Sequence, residues 1–229
     1  ALISGIGIVS PVGTGVAAFW DGILRGVSGV RRIDLFDPAY FPTQMAAQVM
    51  DESYRDMLTA REQKYFSRGS GFGVAAYRLA AQDAGIQDYD SHRTAVIVGS
   101  GISSFDVIEE NVHSAEGSLR IYEPVDRLGM AKAFIAAPAA AIALVSKAGG
   151  YVSTVSTACT SGLNAVGTAM ERIEAGLADV CIAAAVDAPI SKIILSAFCS
   201  ASYFATDNAH PKTCLRPFDI HRTKCLLGE

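Results

Sequence analysis

Short β-branched runs alternate with segments of helical periodicity along this chain, and that alternation narrows its fold more than any other feature. Leu2–Val9, Thr94–Gly99, Tyr151–Thr157 and Val180–Val186 read as strands, the first buried and ended by the turn Ser10-Pro11-Val12-Gly13. Between them, Thr14 is placed to cap a helix running to Gly26, with Ala17, Trp20, Ile23 and Leu24 at helical spacing. Thr59-Ala-Arg-Glu62 has the spacing of a capping box and opens one long helix to about Ala84, ended by Gly85. Ala131–Lys147 reads as an Ala-rich helix closed by Gly149-Gly150, and Ser161–Ala175 as a helix closed by Gly176. The stretches Val30–Asp51 and Gly101–Met130 lack periodicity and read as irregular. This order predicts a single α/β domain over residues 1–229, a mixed or parallel sheet covered by helices with no linker dividing it.

Composition excludes several classes. With 50% hydrophobic and 18% charged residues the chain can bury a core, so disorder is ruled out. A net charge of -4 leaves no cationic footprint for nucleic acid. The longest apolar stretch, Ala133–Val145, is broken by Pro138 and is too short to cross a membrane. No secretory pattern opens the sequence, and five cysteines without a C-x-x-C pair point to a reducing compartment, with the cytoplasm as the expected location. The run Leu226-Leu227-Gly228-Glu229 reads as the start of a further strand, so the chain is expected to be incomplete.

The segment Val155-Ser-Thr-Ala-Cys159-Thr-Ser-Gly162-Leu-Asn concentrates the chemistry. It carries a cysteine from a strand into the first turn of a helix, where unpaired N–H groups and the helix dipole favour an anion. Those N–H groups suit a thiolate at Cys159 and the oxyanion formed when its sulfur attacks a thioester, while Ala158, Ser161 and Gly162 leave room for substrate. Core packing is the competing reading, because free cysteines are commonly buried. Two other motifs fail or are weak. Gly5-x-Gly7 lacks the third glycine of a dinucleotide site. His210-x3-Cys214 and His221-x3-Cys225 offer nitrogen and sulfur ligands for zinc but lack a C-x-x-C knuckle, so no metal is expected.

The motif Ser-Thr-Ala-Cys159-Thr-Ser-Gly resembles the nucleophile motif of the β-ketoacyl synthases of the thiolase superfamily. Phe19-Trp20-Asp21 with Gly26–Gly29, Asp34–Pro38, Ala47–Val49, Glu62-Gln63, Ala175–Asp179 and Arg216-Pro-Phe-Asp219 follow in that family's order. Asp187-Ala-Pro-Ile190 and the Cys159 motif look most like the α subunit of type II aromatic polyketide ketosynthases, with fatty-acid elongation synthases next. The resemblance implies the N-terminal half of a thiolase-like fold, one of two related α/β repeats. It also implies a decarboxylative Claisen condensation in which Cys159 takes an acyl group from an acyl carrier protein and malonyl carrier protein supplies the attacking carbanion. No cofactor is implied. The family's two catalytic histidines lie in its second half, and His92, His113, His210 and His221 match neither of their motifs.

By the same resemblance, Ile108, Phe134, Ala158 and Thr160 border the acyl tunnel. Arg61, Lys64 and Arg68, at i, i+3 and i+7 on the long helix, receive the acidic carrier protein. Implied partners are the carrier protein, the C-terminal half of the synthase, and a second copy or a chain-length-factor-like subunit in a dimer joined along the third strand. The chain departs from the family at Thr223-Lys224-Cys225, where a Gly-containing turn is usual, and Asp207–Leu215 looks shortened. That altered turn is the best support for the rival reading, a non-catalytic ketosynthase-like partner subunit.

Overall fold

The structure is a computed structural model that describes residues 1–86, 88–116 and 125–229. It opens with a minimal antiparallel pair, β1 (Val9–Ser10) and β2 (Gly13–Thr14), followed by α1 (Val16–Leu24). A second antiparallel ladder joins β3 (Val30–Arg32) to β4 (Met45–Ala47), inside the stretch expected to be irregular. Strands this short carry no readable alternation.

The run Leu2–Val9 departs from expectation. Only its last residue enters a ladder, and Leu2 is 94% exposed. Its backbone instead lies on a helix: a Cβ at Gly7 would stand 1.8 Å from Ala76 O, and one at Gly5 2.2 Å from Ala80 O. Ile6 N–H donates to Asp83 Oδ2 at 2.9 Å. Thr14 does not cap α1 either, because it is drawn into β2 and Gly15, at φ 85°, takes the N-cap position.

The expected long helix is two helices. Thr59 and Glu62 form the capping box of α2 (Ala60–Tyr65), but the backbone is extended at Phe66 and Ser67, and the Ser67 hydroxyl caps a new helix, α3 (Arg68–Ala84), ended by left-handed Gly85. Arg78 on α3 ties the two together through Glu62, at 2.8 and 2.9 Å.

The core sheet is parallel. A short 3-10 turn leads into β5 (Thr94–Gly99), whose residues are all buried. α4 (Phe105–Ala115) and α5 (Gly129–Ala133) follow, then α6 (Ala137–Ser146), which carries Pro138 in its first turn and packs on α3. α6 closes at left-handed Lys147 and not at Gly149. The remaining elements are β6 (Val152–Val155), α7 (Ser161–Glu174), β7 (Val180–Ala185) and α8 (Lys192–Ser200), a helix that the sequence reading left unassigned. Strand order is β6-β5-β7, with Gly99 level with Val155 on one side and Ala185 on the other. Strand content is therefore mixed, with the antiparallel ladders lying outside the central parallel sheet.

Successive β5 side chains feed different apolar clusters, Ile97 joining Ala165 and Ala169 of α7, and two larger clusters complete the core. One joins Val74, Ala75, Val96, Val98, Ile142 and Val186. The other gathers Ile33, Ala46, Ile190, Leu195, Phe204 and Leu227. Leu227 reaches it because its carbonyl accepts from Ala47 N–H (2.8 Å), which seats the closing apolar run beside β4. Among the described residues no helix is long and apolar enough to cross a membrane.

Candidate active site

In a parallel sheet the loops at the C-terminal strand ends share one crevice. Here the loops after β5, β6 and β7 meet there, and the loop after β6 carries Cys159. α7 is seated directly on the sheet. A Cβ at Gly99 would lie 2.3 Å from Ser161 C and O, and one at Gly162 2.7 Å from the Ala185 Cβ. Two glycines thus let the first turn of α7 close on β5 and β7, which fixes the preceding turn.

That turn, Ala158–Thr160, is a 3-10 segment with the Cys159 side chain exposed. Ala158 has φ 55°, a left-handed conformation that costs an L-residue about 1–2 kcal/mol and persists only where neighbours enforce it. Ser161 does most of the enforcing: its hydroxyl accepts from Thr157 N–H at 2.9 Å and donates to Ala158 O at 2.6 Å. Thr160 Oγ1 donates to Thr157 O at 2.9 Å, and Asn164 Nδ2 donates to Thr157 Oγ1 at 2.7 Å. The result is a thiol held at the mouth of a helix N-terminus by backbone geometry, open to an approaching carbonyl. All five cysteines are free thiols; burial pushes those of Cys181 and Cys214 up in pKa, which leaves them less nucleophilic.

The other residues singled out in the sequence divide. Ala158 and Thr160 flank Cys159 in the same exposed turn. Phe134, 57% exposed at the C-cap of α5, lies near the loop after β5, its carbonyl 3.4 Å from Ser103 Oγ, and Ile108 lies half-buried on α4. Arg61 and Lys64 are exposed on α2.

Arg68 does not join them, and the expectation of one basic face is corrected by the helix break at Phe66–Ser67. Its side chain is only 12% exposed, and its guanidinium grips Glu229 at 2.8 and 2.9 Å, Glu52 at 3.2 Å and Val49 O at 2.7 Å. Burial of Arg68 opposes its charge, but Glu229, 1% exposed, more than offsets that and raises the Arg68 pKa.

His113 and His210 turn to Glu116 (3.3 Å) and Asp207 (3.0 Å). Cys214 is buried with its thiol 3.2 Å from Pro211 O, and Cys225 faces Tyr203 O at 3.4 Å; among the described residues no cluster able to hold a metal forms. An open groove of about 490 Å³ beside Tyr203, Arg216 and Lys224 and a pocket of about 210 Å³ beside Asp106 and Lys192 are not lined by Cys159. The sequence reading missed the role of Asp187 as an acceptor at the strand ends. Its signals are the Asp187-Ala-Pro-Ile190 resemblance, which assigns it no role, and its place two residues past β7, level with Gly101 past β5.

The family model for the β-ketoacyl synthase N-terminal domain matches residues 2–225. The ketoacyl synthase alpha subunit of the tetracenomycin polyketide synthase of Streptomyces glaucescens is 34% identical over 236 residues, covering 100% of this chain. Two solved structures superpose closely. The ishigamide ketosynthase/chain length factor has TM-score 0.86 at 26% identity over 98% of this chain. A ketosynthase bound to a hexaketide, in complex with its type II PKS acyl-carrier protein, has TM-score 0.84 at 26% identity over 99%. The chain spans about half the length of these relatives, 55% in each case. With its central sheet, its Cys159 turn and its match from residue 2 to residue 225, the chain belongs to the β-ketoacyl synthase family and has the N-terminal half of the thiolase-like fold.

Proposed function

We propose that this chain is the nucleophile-bearing domain, residues 1–229, of a polyketide β-ketoacyl synthase. The observation that carries the reading is the exposed Cys159 thiol ahead of the α7 N-terminus, on a turn locked by Ser161 and seated through Gly99. The Cys159 sulfur attacks the acyl carrier thioester, a new sulfur–carbon bond forms, and the carrier's phosphopantetheine thiol leaves. Loss of carbon dioxide from malonyl carrier protein then gives an enolate whose carbon attacks the acyl-Cys159 carbonyl. The Cys159 thiolate leaves, and β-ketoacyl carrier protein is released.

N–H groups at the start of α7 stabilise the oxyanion in the acyl transfers. The groups that stabilise the enolate come from outside residues 1–229, in the part of the relatives' length that this chain does not span. Phe134, Ile108, Ala158 and Thr160 line the acyl path, while Arg61 and Lys64 meet the acidic carrier protein. The related solved complexes, one with a carrier protein and one with a chain length factor, support the same partners for this chain. β6 is one of the two edges of the three-stranded sheet, with Tyr151 and Val152 exposed, which suits a dimer joined along that strand to a second copy or a chain-length-factor-like subunit. The cytoplasm, where carrier proteins are loaded, is the site of action.

The test is reconstitution of the full-length protein with its partner subunit, acyl carrier protein and malonyl carrier protein, read by mass spectrometry. Condensation is expected with wild type and absent with Cys159→Ala. Absence of any β-ketoacyl product from the wild-type assembly, with carrier proteins bound, would favour the non-catalytic partner reading.

A further inference from the structure

The carboxylate of Asp187 gathers the loop after β5. Its Oδ1 accepts from Ser100 Oγ (2.9 Å), Ile102 N–H (2.9 Å), Ser103 N–H (2.7 Å) and, more loosely, Gly101 N–H (3.2 Å). Its Oδ2 accepts from Gly101 N–H at 3.0 Å. Charge-assisted bonds of this kind are short and strong, and successive N–H groups converging on one carboxylate leave the loop a single conformation. That conformation is strained, since Ser103 sits at φ 61°.

The caged loop lies beside the nucleophile turn. A Cβ at Gly101 would lie 3.4 Å from Asp187 Oδ2 and 3.7 Å from Ala158 O, so the carboxylate and the residue before Cys159 border the same methyl-sized space beside Gly101. Ser100 O lies 3.5 Å from the Ser161 hydroxyl that fixes Ala158. The left-handed backbone at Ala158 therefore has two supports, Ser161 from within the turn and the Asp187-held loop from outside it.

We propose that Asp187 is a positioning residue for the nucleophile, holding loop 100–103 as the support that fixes the Cys159 turn. The proposal rests on Cys159 being the reactive thiol, so the experiment reads thiol reactivity directly. Full-length protein is labelled with iodoacetamide, and the rates at Cys159 and at the exposed, remote Cys225 are taken by peptide mass spectrometry in the same sample. The ratio of the two rates is the readout, and the thermal midpoint is recorded beside it.

Asp187→Ala is expected to lower the Cys159:Cys225 ratio at least tenfold at temperatures well below its midpoint. Asp187→Asn keeps an acceptor at Oδ1 for Ser100, Ile102 and Ser103 but loses the charge and the acceptor for Gly101 N–H, and is expected to fall between wild type and Asp187→Ala, a partial rescue that mere loss of fold stability would not follow. Ser100→Ala removes one donor while leaving the backbone cage, and is expected to lower the ratio two- to fivefold; it decides the matter should Asp187→Ala not fold. An unchanged ratio in folded Asp187→Ala, or in Ser100→Ala where that variant must decide, overturns the proposal. A wild-type ratio near one would instead overturn the assignment of Cys159 as nucleophile, so the two failures are distinguishable.

Discussion

Adding one methyl group at Gly99 should both destabilise the protein and disarm Cys159. The new Cβ would stand 2.3 Å from the carbonyl carbon and oxygen of Ser161 and 2.5 Å from Gly162 N. Non-bonded carbons settle at about 3.5–4.0 Å, so the first turn of α7 must lift from β5 by roughly 1 Å or more. A Cβ has no rotamer and the atoms it meets are all backbone, so no side-chain rearrangement can absorb the clash. Overpacking of this kind costs about 1–3 kcal/mol. A displacement of about 1 Å at a reacting group can cost roughly 100-fold in rate. Gly99 is not among the residues with positive φ, so the penalty is steric and not conformational.

The assay pairs urea unfolding of the full-length protein with the initial rate of Cys159 acylation by acyl carrier protein. Gly99→Ala should lose about 1–3 kcal/mol and acylate roughly 100-fold more slowly. Gly167→Ala is the control on the same helix: its Cβ meets nothing within 4 Å, so it should gain about 0.5–1 kcal/mol and acylate normally. A Gly99→Ala protein with the wild-type midpoint and acylation rate would show that α7 is not seated on β5 as described.

Two further outcomes concern the charges beneath α3 and α4. Arg68→Ala strands the buried Glu229 carboxylate and should cost about 3–5 kcal/mol in the same unfolding assay, whereas a loss below about 1 kcal/mol would mean the pair is effectively solvated. Asp106, at the start of α4, has its pKa raised to about 6, chiefly by burial and then by the nearby Glu110 and Glu229 charges, and among the described residues its Oδ1 has no partner. The folded state then keeps a proton that the unfolded chain has released, so Asp106 withdraws stability as pH rises from about 4 to about 6, by of order 3 kcal/mol. The difference in unfolding free energy between wild type and Asp106→Asn should follow that fall and level off above it. A difference independent of pH would contradict the buried carboxylate.

The parallel core was legible because β5, β6 and β7 are β-branched or small runs closed by glycine or polar turns, and α7 follows its strand at once. The Cys159 turn was legible for the same reason: strand, small residues and helix are contiguous in sequence. What escaped detection depends on long-range packing. The break between α2 and α3 lies inside unbroken helical periodicity, where Ser67 is one more polar residue until its hydroxyl caps Ser70 N–H. Arg68 consequently looked like part of a basic face, while its partner Glu229 lies at the other end of the chain. α8 buries Ile194 and Leu195 and packs on α4, partners that lie far from it in sequence. Asp187 acquires its partners only through the register of β5 with β7, which no local pattern encodes.

The most direct test of the account is the covalent intermediate itself. Full-length protein is incubated with acyl carrier protein carrying a labelled acyl chain, quenched, digested and searched by mass spectrometry for the acylated residue. The account predicts the acyl mass on the peptide containing Cys159, and no acyl-enzyme in Cys159→Ala. An acyl group found on another cysteine, or an acyl-enzyme that persists in Cys159→Ala, would contradict it.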